Sequence, residues 1–139
     1  MAEEKGRYSN AFTATLAGIA DLFRKQKNVV VLNDDDLVTG KNVLITGASS
    51  GLGFEAAVQL ARRGANVYMA CRSGIPDKGH LVTKLTGNAS VVMLPVDLSD
   101  IESVRQLVSH IKEKGVKIDV LIENAAVVPA RSRKTKQGL

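Results

Sequence analysis

The 139-residue sequence is poor in several residue types that build recognisable chemistry. It holds one cysteine, no tryptophan, two tyrosines, two histidines and three prolines. A single cysteine, Cys71, excludes an internal disulfide framework and a cysteine-built zinc cage, and makes a reducing, cytoplasmic compartment the expectation. Aromatic residues make up only 4% of the chain and no nucleic-acid-binding motif is visible, so no nucleic-acid partner is expected. No run approaches the ~20 apolar residues of a membrane helix, and no apolar core follows a basic start as in a signal peptide. Glu3, Glu4 and Asp21 also argue against an acid-poor transit peptide. Acids are missing from the last nine residues, where Arg131, Arg133, Lys134 and Lys136 stand. The net charge of +5 is therefore largely a property of the C-terminal stretch.

What is present is aliphatic. Hydrophobic residues make up 45% of the chain and charged ones 24%, the profile of one globular domain rather than a disordered tail or a fibre. Three segments are expected: an extension over 1–39, a nucleotide-binding unit over 40–126, and a basic loop over 127–139. In the extension, Phe12, Leu16, Ile19 and Phe23 recur at helical spacing, which predicts an amphipathic helix over 10–27. Its apolar face either packs on the domain's own core or meets a membrane surface or another subunit. Asp34, Asp35 and Asp36 are adjacent rather than spaced as ligands, and read as an acidic surface turn.

From Gly40 onward, apolar runs alternate with helical patterns. Strands are expected at 41–46, 66–71, 90–96 and 117–122, and helices at 52–63, weakly at 76–87, and from Ser99 or Asp100 to Lys114. The runs are apolar throughout rather than alternating, the mark of a parallel sheet covered on both faces. Right-handed crossovers then give the strand order 3-2-1-4, a partial Rossmann fold with helices on both faces.

The most informative segment is Thr46-Gly47-Ala48-Ser49-Ser50-Gly51-Leu52-Gly53, which leaves a predicted strand and opens a predicted helix. Gly47 permits a sharp turn, Gly51 removes the side chain where backbone amides must approach a pyrophosphate, and Gly53 lets the helix pack closely. Amides at the helix start, with its dipole, favour negative charge there. NAD sites usually place an acid roughly 20 residues beyond such a loop. Here Cys71, Arg72 and Ser73 occupy that region, with no carboxylate. A guanidinium can hold a 2′-phosphate by a bidentate contact, and Ser49 can add a hydroxyl, so NADP(H) is favoured over NAD(H). The alternative for Arg72 is a solvated loop cation, and Cys71 reads as a strand-end packing residue.

The loop TGASSGLG, the strand end Cys71-Arg72, Asp97-Leu98 after the third strand, and DVLIENAA at 119–126 together resemble the short-chain dehydrogenase/reductases. The nearest flavour is the retinol-dehydrogenase and protochlorophyllide-reductase-like branch, and the resemblance covers residues 40–139. It implies that Gly47, Ser49, Ser50, Gly51, Leu52 and Gly53 cradle a dinucleotide pyrophosphate. It implies that Asp97 contacts the adenine amino group, with Leu98 lining the same pocket; the alternative for Asp97 is a helix-capping acid. It also implies that Asn124, Ala125 and Ala126 pass beside the cofactor ribose. Two positions depart from the usual Asn-Asn-Ala-Gly: Glu123 replaces a neutral amide, and Ala126 replaces a glycine.

The resemblance further implies catalysis by a serine and by a tyrosine followed four positions later by a lysine, the cation lowering the phenol's pKa. Tyr8 is followed at that distance by Phe12 and Tyr68 by Arg72, so neither forms the pair. His80 and His110 read as solvated surface residues. The expectation is the cofactor-binding part of a longer NADP(H)-dependent oxidoreductase, acting on an unknown carbonyl or alcohol and inactive as this chain. The alternative is a non-catalytic NADP(H)-binding or regulatory module. The last strand would then present an incompletely covered edge at Val120, Leu121 and Ile122, and the chain is expected to associate with itself or a partner.

Overall fold

A computed structural model describes residues 38–127, together with Lys134 and Gly138. The expected helix over 10–27, the acidic turn at Asp34–Asp36 and nearly all of the basic C-terminal stretch lie outside the described residues. The elements run β1 (Asn42–Thr46), α1 (Gly51–Arg62), β2 (Asn66–Cys71), α2 (Asp77–Thr86), β3 (Val91–Pro95), α3 (Ile101–Glu113) and β4 (Val120–Ile122). The strands form one parallel sheet in the order β3-β2-β1-β4.

Each strand sends alternate residues to opposite faces, and both faces are apolar. Val43 and Ile45 of β1, with Val67, Met69 and Cys71 of β2, pack on one face against Ala57, Val58 and Ala61 of α1 and Val82 of α2. Leu44, Ala70 and Leu94 lie on the other face with Leu107 of α3, joined by the half-buried Tyr68, Val104 and Ile111. Ile45, Met69, Val43 and Val67 are almost wholly inaccessible, and each such side chain contributes about 1.5–3 kcal/mol on burial. No helix among the described residues is long and apolar enough to cross a membrane.

Helix boundaries follow local chemistry. The Asp100 side chain accepts from the Glu102 amide at 3.0 Å and so caps α3. α2 ends at Gly87, whose φ of 72° is left-handed. β4 is shorter than its apolar run suggests. The Asp119 carboxylate accepts from the Asn42 amide at 2.9 Å, and the Asn42 side chain donates to the Lys117 carbonyl at 2.8 Å. The Asp119 amide also donates to the Asn42 carbonyl at 2.9 Å. Side chains and one backbone bond thus fasten the chain at 117–119 to β1, while residue pairing in the ladder covers Val120, Leu121 and Ile122 opposite Val43, Leu44 and Ile45.

A candidate dinucleotide cleft at the carboxyl ends of the strands

In a parallel sheet all strands end on the same side, so the segments after β1, β2, β3 and β4 meet there. After β1 the chain turns at Gly47, which has a φ of 65° and whose amide donates to the Ala70 carbonyl at 2.9 Å. Gly51 opens α1 with a φ of 58°, and a Cβ built on it would meet no atom within 4 Å. The loop crest therefore faces open space. Gly53 is buried, and a Cβ there would overlap the side-chain nitrogen Nδ2 of Asn124 and come within 2.7 Å of the Gly47 carbonyl oxygen. Ser50 occupies the N-cap position without a side-chain cap bond, and no acid stands in the first turn of α1. The positive end of the helix is left for something else to satisfy.

The segment after β4 is tied to this loop through Thr46. Its Oγ1 accepts from the amides of Asn124 at 3.0 Å and Ala125 at 3.1 Å. The Asn124 side chain in turn donates to the carbonyls of Thr46 at 3.0 Å and Gly47 at 3.3 Å. These bonds hold Asn124 and Ala125 beside the glycine loop. Ala126 follows without strain, since no non-glycine residue among those described has a positive φ.

At the end of β2, Cys71 is buried in the core while its neighbour Arg72 is exposed. Burial pushes the Cys71 thiol above its ordinary pKa, opposed in part by hydrogen bonds from the Ala48 backbone and from the side chain and backbone of Ser49. Nearby, Lys78 of α2 rests its Nζ 5.7 Å from the centre of the Phe54 ring. After β3, the Asp97 carboxylate accepts from the amide and hydroxyl of Ser99, at 2.9 and 2.7 Å. Its own amide donates to the Ser103 hydroxyl at 2.9 Å, and the capping position of α3 belongs to Asp100.

These segments enclose a cleft of about 660 Å³, within the usual size of small-molecule sites. Of the residues expected from sequence, Gly47, Ser49, Ser50, Leu52, Arg72, Asp97, Leu98, Asn124, Ala125 and Ala126 line it. Gly51 and Gly53 shape the loop without being part of the wall. Glu123 does not line the cleft and is exposed to solvent, so its carboxylate is kept off the wall that Asn124 forms. Arg72 and Asp97 are the charged residues of the lining, one after β2 and the other after β3. Tyr68 lines a separate groove with Leu94 and His110, and His80 and His110 are exposed.

Two features escape the sequence reading. Thr46 looks like an ordinary strand end, although its position one residue before the first glycine places it opposite the β4 segment. Val127 falls in the stretch expected to be a basic loop, yet it lines the cleft. Its only sequence signal is continuity with Asn124-Ala125-Ala126.

Residues 41–137 match the sequence profile of the family described as short chain dehydrogenase. Human retinol dehydrogenase 11 is 39% identical over 123 residues, covering 86% of this chain and 38% of that protein. Bovine (Bos taurus) retinol dehydrogenase 12 is 36% identical over 130 residues, covering 92% of this chain and 41% of that protein. The chain thus spans about two fifths of the length of the curated relatives it matches. Among solved structures, a protein from Escherichia coli CFT073 described as a short chain dehydrogenase, complexed with NADPH, superposes with a TM-score of 0.61. It is 29% identical, covering 69% of this chain and 41% of that one. One from Shigella flexneri 2a, complexed with NADP, gives a TM-score of 0.60 at 30% identity, covering 67% of this chain and 40% of that one.

Proposed function

The chain belongs to the short-chain dehydrogenase family, and we propose that it supplies the NADP(H)-binding part of an oxidoreductase that interconverts a carbonyl and an alcohol. The observation that carries this reading is the shared cleft of Ser49, Ser50, Arg72, Asp97 and Asn124 below the open crest of Gly51. The absent side chain at Gly51 leaves room for a pyrophosphate against the uncapped start of α1. Asn124 and Thr46 fix the wall beside the ribose. In this reading the Asp97 carboxylate, on the wall after β3, accepts from the exocyclic amine of the adenine, which is a pure donor.

The choice of NADP(H) over NAD(H) rests on Arg72 and Ser49. No carboxylate stands at the end of β2 to accept from a free ribose 2′-hydroxyl, whereas a guanidinium and a hydroxyl are both donors suited to a phosphate. Arg72 has no hydrogen-bond or ion-pair partner among the described residues, which leaves its donors available. The retinol dehydrogenase relatives suggest an alcohol or aldehyde substrate for the longer protein. Bound nicotinamide would supply the hydride chemistry, and the residues here bind and orient it.

A second reading, NADP(H) binding without turnover, is favoured by one observation. Tyr68 lies within β2, away from the cleft, and neither tyrosine of the sequence is followed four positions later by lysine. Titration with NADPH and with NADH, followed by nicotinamide emission, tests the shared part of both readings. Saturable binding with NADPH at least tenfold tighter supports it, and equal or absent binding overturns it. Turnover of NADPH by this chain with a carbonyl compound would exclude the second reading.

A further inference from the structure

We infer that the groove beside the C-terminal end of α3 binds a small apolar carboxylate, a medium-chain fatty acid, through an aliphatic floor and a basic rim. The groove shares no residue with the dinucleotide cleft, so this inference stands apart from the NADP(H) reading. On this face of the sheet Leu44, Ala70 and Leu94 are buried together with Leu107 of α3. Cover fails toward the strand starts. Val92, two residues before Leu94, is 44% exposed, and Tyr68, two residues before Ala70, is half-buried. Leu107 is the one buried residue of α3. Val92, Leu94, Ile111 and Val116 thus give the groove an aliphatic floor, and apolar surface left in water favours an apolar ligand. Its volume of about 340 Å³ lies at the small end of ligand sites, which suits a short acyl chain.

Charge complementarity selects the head group. The polar side chains of the lining are Tyr68, His110 and Lys114, and each can donate a hydrogen bond. No aspartate or glutamate belongs to the lining. His110 and Lys114 stand four residues apart at the end of α3, a spacing that puts them on one side of it. Neither has an ion-pair partner among the described residues. Nor are they needed to satisfy the end of the helix, a common use of basic side chains there. The carbonyls of His110, Ile111 and Lys112 already accept from the amides of Lys114, Val116 and Gly115, at 3.1, 3.1 and 2.9 Å. A carboxylate at the rim accepts from these side-chain donors while its methylene chain covers Val92 and Ile111. A neutral alcohol of the same length leaves the ammonium unanswered, and an alkylammonium meets like charge.

The test titrates the whole chain with octanoate, 1-octanol and octylammonium and follows backbone amide shifts. Octanoate should bind saturably, with perturbations centred on Val92, Ile111, Lys114 and Val116, and more tightly than either of the other two. Lys114→Gln, at an exposed position, should leave the melting temperature unchanged and weaken octanoate about fivefold, with 1-octanol hardly affected. Val92→Thr keeps the branched shape and should weaken octanoate and 1-octanol alike. No saturable binding of octanoate overturns the inference, as do perturbations centred on Ser49 and Arg72 of the other cleft. Equal affinity for octanoate and octylammonium, or full octanoate affinity in Lys114→Gln, overturns the basic rim and with it the choice of a carboxylate. If Lys114→Gln melts early, Lys114→Arg gives the second comparison: it keeps the charge and should keep octanoate binding, and its loss of binding there contradicts the inference.

Discussion

Gly47 and Ala125 approach so closely that a Cβ on Gly47 would lie 2.8 Å from the Ala125 Cα. This contact joins the turn after β1 to the segment after β4, and it admits no side chain. Gly47→Ala adds a backbone overlap to a left-handed φ of 65°. The conformation alone costs about 1–2 kcal/mol, and forcing the two backbones apart adds about 1–3 kcal/mol. Gly51→Ala carries the conformational cost without the overlap, because nothing lies within 4 Å. Urea unfolding should show Gly47→Ala as clearly the less stable of the two. Equal stabilities would contradict the contact.

Thr46→Val keeps the shape of the side chain and removes the acceptor of two amides, those of Asn124 and Ala125. Leaving such donors without partners costs about 1–3 kcal/mol. The loss should appear in urea unfolding and as faster hydrogen exchange at these two amides. Unchanged exchange would show that the hydroxyl does not hold them.

Arg72→Ala should weaken NADPH binding roughly 10–100-fold, the range of a charge-assisted hydrogen-bonded contact. NADH binding should hardly change, because the exposed guanidinium makes no contact within the fold among the described residues. Equal losses for the two cofactors would assign Arg72 a role other than 2′-phosphate recognition.

Cys71 gives the fold a pH dependence of defined sign. Burial raises its thiol pKa in the native chain, while the unfolded chain keeps a value of about 8.5. The native state therefore holds its proton where the unfolded state has lost it, and stability falls as pH rises above about 8.5. The stability difference between wild type and Cys71→Val should shift against wild type between pH 8 and pH 10. A constant difference would show that the thiol is not desolvated.

Val120 and Leu121 are 43% and 53% exposed on β4, an edge strand of the described sheet. An apolar parallel edge of this kind favours association. Light scattering should find the 139-residue chain larger than a monomer at micromolar concentration, and Leu121→Lys should reduce its mass toward that of a monomer. A monomeric wild type would remove this edge as an interface.

Most of the architecture is legible because parallel strands covered on both faces must be apolar throughout, as Val43–Ile45 and Val67–Cys71 are. The glycine spacing likewise forces a turn, an open crest and a close helix contact at Gly47, Gly51 and Gly53. The length of β4 is not legible, because it depends on the cross-strand bonds between Asn42 and Asp119, 77 residues apart. Nor is the hub at Thr46, whose partners lie 78 and 79 residues away. Val127 carries no periodicity of its own, and only the sheet order brings it to the cleft that Leu52 lines.

Amide chemical-shift mapping during titration with NADP⁺ tests the central claim most directly, because it reports where the cofactor sits rather than only whether it binds. Perturbations should concentrate at Ser49, Ser50, Gly51, Arg72, Asp97 and Asn124, the loop and walls of one cleft. Saturable perturbations confined elsewhere, such as the groove of Tyr68, His110 and Val116, or none at all, would contradict a dinucleotide site at the carboxyl ends of these strands.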